Sequence, residues 1–392
     1  MDGLMKRNIT LLQFFRVVRN FALFVPIIVP FYQENGLSQT QIYVLQSLFA
    51  ITIVLLEVPS GYFADVFGRK LSIVLGAVLS TVGFVLYSGS YGFFPLLLAE
   101  FVLGIGYSFI SGADSALAYD SFAAEGNEKG YLRYESHGNG FMGISEATAS
   151  IIGGFLAVIS LRTPLVAQAT VYGLTIPLAL FLTEPKRIIK SSAEHPWKNV
   201  LRIVKYALHG HQEIKWLILY GAIMATLTHT MVWLTQPYYQ LVGVPIAWFG
   251  VLWAAQLFIM ALFSHNADKY ERWLGKKWAL ISFPIIGCAS YVILGLAPSL
   301  AVLPILLGFY FVRGVHMPIL QHYVNSVLDS DIRATVLSVK NLVQKLIYCL
   351  FGPLIGVVTD AYSLQTALLF SAALYGCLSL IVLANMKRLK LL

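Results

Sequence analysis

Charge is scarce in this chain: Asp, Glu, Lys and Arg make up 12% of its 392 residues, against 58% hydrophobic residues. A soluble domain carries about 25% charged residues, so this balance excludes that class and points to an integral membrane protein. Cysteine is scarcer still. Cys288, Cys349 and Cys377 are odd in number and fall in apolar stretches, which excludes a disulfide framework and makes them packing residues. No His-Glu-x-x-His or similar catalytic spacing occurs, so no enzymatic activity, metal or cofactor is expected. Acidic residues number 19 against 27 Lys and Arg, a net charge of +8. Lys6 and Arg7 precede an apolar run, but Arg16 and Arg19 interrupt it and no small-residue cleavage site follows, so the run reads as a first span and not as a signal peptide.

Apolar windows bounded by Gly, Pro or charge predict spans near 9–32, 40–59, 71–90, 93–118, 138–160 and 164–183, and again near 215–240, 245–264, 278–297, 299–325, 334–359 and 364–385. Spans of about 20 residues, twelve times over, take about 240 positions and leave no room for a separate catalytic domain. With the N-terminus inside, the outer turns carry a single cation, Arg162; every other loop cation lies on the opposite side. Both termini are therefore expected in the cytoplasm, and the net charge follows from this asymmetry without a nucleic-acid partner. Between the two sets of spans, Trp197, Val200, Leu201, Val204 and Leu208 form an apolar stripe opposite Lys198, Arg202 and Lys205, with Pro196 at the first turn. This predicts an amphipathic helix on the membrane surface.

Between the second and third spans lies Gly61-Tyr62-Phe63-Ala64-Asp65-Val66-Phe67-Gly68-Arg69-Lys70. Asp65 and Arg69 are four apart and would pair on a helical turn, while Gly61 and Gly68 allow close approach and reversal. The spacing Gly-x-x-x-Asp-x-x-Gly-Arg-Lys resembles the signature loop of the major facilitator superfamily of secondary transporters. A degenerate second copy follows at Ala267-Asp268 and Gly275-Lys276-Lys277, with four extra residues between Asp268 and Gly275. Gly314 after Gly104 and Asp329-Ser330 after Asp120-Ser121 repeat at nearly the same interval. The resemblance implies an all-α membrane protein of 12 transmembrane helices in two pseudo-symmetric six-helix bundles, residues 1–184 and 214–392, joined by a cytoplasmic linker 185–213 with the amphipathic helix. It implies a gating loop of Gly61, Asp65, Gly68, Arg69 and Lys70, with Asp268 in the second copy, and alternating access around a central site.

In that family the first, fourth, seventh and tenth helices line the cavity; here they carry Arg16, Arg19, Asn20, Glu100, Asp114, His229, Gln236, Arg313, His316 and Gln321. Lys345 lies at comparable depth on the eleventh. Arg16 and Arg19 share a helix face, and at 1.5 Å per residue Arg19 lies roughly 15 Å deep, beyond easy snorkelling. Two readings stand for it: a substrate or gating group, or a structural pair with Asp114 or Glu146. The cations give the expected cavity a positive lean and favour an anionic or zwitterionic amphiphilic solute, such as a carboxylate siderophore or a metabolite; the alternative is that they only brace helices against buried acids. For proton coupling, Glu146 is the first candidate, then Asp114 and Glu100, against the alternative that each is a permanently ionised partner. His229 and His316 titrate in the right range but read equally well as packed hydrogen-bonding residues.

The chain also departs from the family. Many members carry an Arg four residues before the Gly of the fourth helix, where this chain has Glu100 before Gly104. Of the Gly-Pro-x-x-Gly-Gly run that accompanies antiport, only Gly153 and Gly154 of the stretch Ala149–Gly154 survive. Glu57–Gly61 and Ser111–Asp120 are similar to a bacterial branch of unassigned and siderophore-related permeases. The expected function is a proton-coupled permease of the bacterial inner membrane, acting as a monomer with a small-molecule substrate, the proton and membrane lipids as partners. A multidrug efflux antiporter of the same fold is the alternative, favoured by 14% aromatic residues, among them Trp233, Tyr238 and Trp253.

Overall fold

The computed structural model describes residues 2–185, 211–327 and 330–392, and side chains within 4–185, 211–324 and 339–392. The apolar stripe around Trp197 and the Asp329 repeat position lie outside them. Among the described residues there are helices and no strands. Ten helical stretches among them, some running across a break between two helices, are long and apolar enough to cross a membrane. The chain divides into two compact units, one of Met1–Gly36, Leu48–Ala193 and Ile246–Ala254, the other of Leu37–Ser47, Glu194–Pro245 and Ala255–Leu392.

In the first unit, α1 (Asp2–Arg19) is followed by irregular chain, a 3-10 turn at Val25–Ile27 and α2 (Ile28–Glu34). The single span predicted over 9–32 is thus broken. Pro26 explains the position, since it donates no backbone hydrogen bond and disfavours helix at Val25. Then come α3 (Gln39–Phe67), α4 (Arg69–Gly89), α5 (Phe93–Ile110) and α6 (Ala113–Ala124). The span predicted over 93–118 is broken as well: Gly112, at φ +78°, separates α5 from α6. α7 (Glu128–Leu156) begins well before the predicted 138, and α8 (Thr163–Gly173) and α9 (Thr175–Leu180) complete the set.

Small residues bring these helices together. A Cβ on Gly76 would lie 2.7 Å from the Gly106 carbonyl oxygen, so α4 and α5 meet backbone to backbone. A Cβ on Gly153 would sit 1.8 Å from the Leu23 carbonyl oxygen, and one on Gly250 would sit 1.9 Å from that of Ser150. The irregular chain after α1 therefore rests directly on α7. Asn8, fully buried, donates to the Thr183 carbonyl at 2.6 Å and accepts from the Thr183 amide at 2.8 Å, which fastens α1 to the end of the first unit.

The second unit holds α10 (Gln212–Leu241), most of α11 (Phe249–His265), α12 (Ala267–Leu296), α13 (Leu307–Val327), α14 (Ser330–Ala361) and α15 (Leu364–Arg388). Buried tyrosines bond to backbone or hydroxyl oxygen: Tyr220 donates to Leu280 at 2.6 Å and Tyr291 to Leu227 at 2.8 Å, with Tyr375 bonded to Thr230 at 2.6 Å. The first turn of α3, which belongs to this unit, is held by Asp360, whose carboxylate accepts from the amides of Gln39 at 2.9 Å and Thr40 at 2.8 Å.

Candidate functional site

Both breaks in the first unit open on one cavity of about 570 Å³. The end of α1 and the chain after it contribute Arg16, Arg19, Asn20 and Phe24; the α5–α6 junction contributes Tyr107, Gly112 and Asp114; α7 contributes Glu135, Asn139, Met142 and Glu146. Those four α7 positions are spaced by four, three and four residues, so one helix face supplies them. Irregular backbone at membrane depth is tolerated where it lines such a cavity and where its polar groups find partners. The Leu23 amide donates to Gln168 Oε1 at 2.8 Å, and Gln168 is fully buried. Asn20 returns its side-chain amide to the Arg16 carbonyl at 2.9 Å.

Asp114, in the first turn of α6, gathers the cations. Its Oδ2 lies 3.4 Å from Arg16 Nε and 3.2 Å from Arg19 Nη1, while Oδ1 accepts from the Ser115 amide at 2.7 Å. A carboxylate at a helix N-terminus facing arginines at a helix C-terminus complements both dipoles. Arg16 also reaches Glu135 Oε1 at 2.9 Å and Ser115 Oγ at 2.8 Å and stacks over the Tyr134 ring at 4.9 Å. It is 2% exposed, whereas the Arg19 side chain keeps 22% of its surface toward the cavity. Arg16 is thus paired and enclosed, and Arg19 both pairs with Asp114 and lines the void. On the α7 wall the Trp253 indole N–H donates to Glu146 Oε1 at 3.3 Å.

The positive lean expected of the cavity is absent here. Its lining holds two cations, Arg16 and Arg19, and three carboxylates, Asp114, Glu135 and Glu146. Glu100, grouped with Glu146 from the sequence, does not line it: 5% exposed, it accepts hydroxyl protons from Tyr32 at 3.0 Å and Tyr87 at 2.6 Å.

The loop after α3 differs from its expected geometry. Arg69 pairs with Asp120 and donates to the Ala116 carbonyl at 2.6 Å, and Asp65 is exposed near the end of α3. The reason is the reversal at Gly68, φ +118°, which sends Arg69 onto α4 and out of the register an uninterrupted turn would give. The amides of Arg69 and Lys70 are taken by the Glu184 carboxylate at 3.1 and 2.7 Å, a cap with no sequence signal because its partner is more than a hundred residues away. Gly61 is mid-helix, and a Cβ there would meet no described atom within 4 Å, so no close approach requires this glycine. In the second copy Gly275 repeats the positive φ at +72°, and Asp268 pairs on the surface with Arg272 at 2.7 Å.

In the second unit, the His229 ring packs against Tyr348 with centroids 4.8 Å apart, Gln236 is buried, and Arg313 and Lys345 are half-buried. His316 is 1% exposed and bonds through Nδ1 to the Val312 carbonyl at 2.7 Å. Sequence reasoning passed over Lys340, 6% exposed, because it lies near the predicted start of a span. It also missed Gln168 and Glu135, which the periodicity of their helices alone does not mark.

A family model described as Major Facilitator Superfamily matches residues 10–347. The chain belongs to the major facilitator superfamily. Its relatives include an uncharacterized MFS-type transporter, YxaM, of Bacillus subtilis (strain 168), 22% identical over 90% of this chain and 89% of that one, and the class C tetracycline resistance protein of Escherichia coli, 24% identical over 85% and 84%. Among solved structures, a point mutant of the nucleoside transporter NupG superposes with a TM-score of 0.82 at 15% identity, covering 97% of this chain and 99% of that one. A bacterial homolog of the human lysosomal transporter Spinster, inward-facing and unoccupied, gives 0.77 at 17% identity, covering 97% and 96%. The protein is a multi-pass membrane transporter of this superfamily, built on the superfamily's fold and taking a small-molecule substrate.

Proposed function

We propose that this major facilitator protein exports a zwitterionic amphiphile in exchange for protons, by alternating access in a bacterial inner membrane. The observation that carries this reading is the lining of the N-terminal cavity. Arg19 is partly satisfied by Asp114 and still reaches the void, which suits a carboxylate or other anionic group of the solute. Glu146 lies on another wall beside an indole, which suits an amine or a proton. With three carboxylates and two cations around it, a purely anionic solute meets net repulsion and a zwitterion does not. The relatives named for tetracycline, quinolone and multidrug resistance support export over import.

Glu146 is the coupling group in this reading: its proton competes with the solute's amine, so occupancy by one releases the other. Asp114 is shared by two guanidiniums, and Glu100, enclosed by two tyrosines, is a secondary proton site. Twelve spans in two bundles, 1–184 and 214–392, cytoplasmic termini and a monomeric state complete the proposal, with the distribution of Lys and Arg along the chain supporting the orientation.

The test uses protein reconstituted in proteoliposomes with tetracycline as probe. Wild type is expected to accumulate it against its gradient when an opposing proton gradient is imposed, and Glu146→Gln to lose that dependence while retaining tetracycline exchange at equal pH. Arg19→Gln is expected to weaken exchange about tenfold with expression intact. Gradient dependence unchanged in Glu146→Gln removes the coupling role, and unchanged exchange in Arg19→Gln removes the cavity as the solute site.

A further inference from the structure

The two units treat their buried and half-buried cations differently. In the first, Arg16, Arg19 and Arg69 each have a carboxylate. In the second, Lys340 and Arg313 have none among the described residues, because every acidic side chain described there is engaged or outside the interior. Glu213 is exposed, Asp268 pairs with Arg272, Glu271 takes the Tyr323 hydroxyl, and Asp360 holds Gln39 and Thr40. Lys340 is 6% exposed, and the contact its ammonium makes is with the Met317 sulfur at 4.0 Å.

A charge buried without a partner is costly, and intramembrane cations are retained where they meet an opposite charge during function. Lys340 lies in the first turn of the apolar span Val339–Ala361, and its stem runs across α10, where Gly221 leaves room for it: a Cβ on that glycine would sit 3.7 Å from Lys340 Cδ. Arg313 and His316 are one turn apart on α13, beside Met317. His316 Nε2 is buried and has no hydrogen-bond partner among the described residues, and the Lys340 ammonium reaches the neighbouring Met317. Two cations with no carboxylate among the described residues and a ring nitrogen with no described partner therefore lie close to where α10, α13 and α14 meet.

We propose that Lys340, Arg313 and His316 form a binding site for the carboxylate or phosphate group of an organic anion within the C-terminal unit. The ammonium and guanidinium supply charge-assisted donors, and His316 Nε2 supplies a third polar contact. The site shares no residue with the N-terminal cavity and rests on the transporter fold alone.

Thermal unfolding of the full-length protein in detergent tests this, with benzoate and inorganic phosphate as probes, chloride at matched ionic strength as control, and no pH gradient. Benzoate separates an organic carboxylate site from a phosphate site. At least one of the two is expected to raise the unfolding temperature where chloride does not. Lys340→Gln should weaken the half-saturating concentration about tenfold and Lys340→Arg by less than about threefold. Lys340→Met should unfold at a higher temperature than wild type without added anion, because it removes a buried charge that no described carboxylate faces and keeps the stem. A shift from neither probe, an equal shift from chloride, unaltered affinity in Lys340→Gln, or a lowered unfolding temperature of anion-free Lys340→Met would each overturn the site. Since no proton gradient is applied, failure here is distinct from failure of coupling at Glu146.

Discussion

At the scale of the residue, the N-terminal cavity depends on polar side chains that repair a broken helix. Gln168 accepts from the Leu23 amide in a place where water cannot substitute. Gln168→Leu keeps the volume and orphans that donor, so it is expected to destabilise by about 1–3 kcal/mol, read as a lowered unfolding temperature in detergent. Arg16 poses the opposite problem. Having Asp114, Glu135, Ser115 and Tyr134 around it, it is over-determined, and replacing it leaves two carboxylates short of a cation. The sequence marked Arg16 and Arg19 correctly as unusual, because two cations on one apolar helix face are visible in the bare order of residues. It did not mark Gln168 or Glu135, since a buried amide and a carboxylate near a span end differ in no local way from their exposed counterparts.

At the scale of the element, the glycines divide into those that carry backbone contacts and those that carry none. Gly250 cannot accept a methyl group without moving α7, as the Ser150 carbonyl is in the way. Gly250→Ala is expected to lower both the unfolding temperature and transport. Gly61→Ala, with open space around it and a helical backbone, is expected to be neutral or to stabilise by up to about 1 kcal/mol. The pair of variants measured side by side checks whether contact or motif decides. Hydropathy located the helices well, and it erred where one residue interrupts an apolar run: Pro26 and Gly112 each divide what the hydropathy pattern reads as one span. These interruptions are what let α1 and α6 present Arg19 and Asp114 to the same void. A pattern of apolar residues gives length and depth, whereas breaks are set by single positions whose effect depends on partners such as Gln168 that lie elsewhere in the chain.

At the scale of the molecule, the skew of Lys and Arg argues for both termini on the cytoplasmic side. Protease removal of a tag placed after Leu392 is expected in inverted vesicles and not in right-side-out ones, and the reverse result would invert every assignment of inner and outer face. The superfamily was legible from one turn, since Gly68-Arg69-Lys70 follows Asp65 at the family's spacing, though the bonds in that turn were not: the guanidinium goes to Asp120 and the amides to Glu184. That second partner has a kinetic consequence. Glu184 stands where the first set of helices gives way to the connecting segment, and its clamp on α4 gives that segment a fixed point of departure. Loss of that carboxylate in Glu184→Ala is expected to free two helix-start amides at once and to let the first turn of α4 fray, seen as faster amide exchange at Arg69 and Lys70.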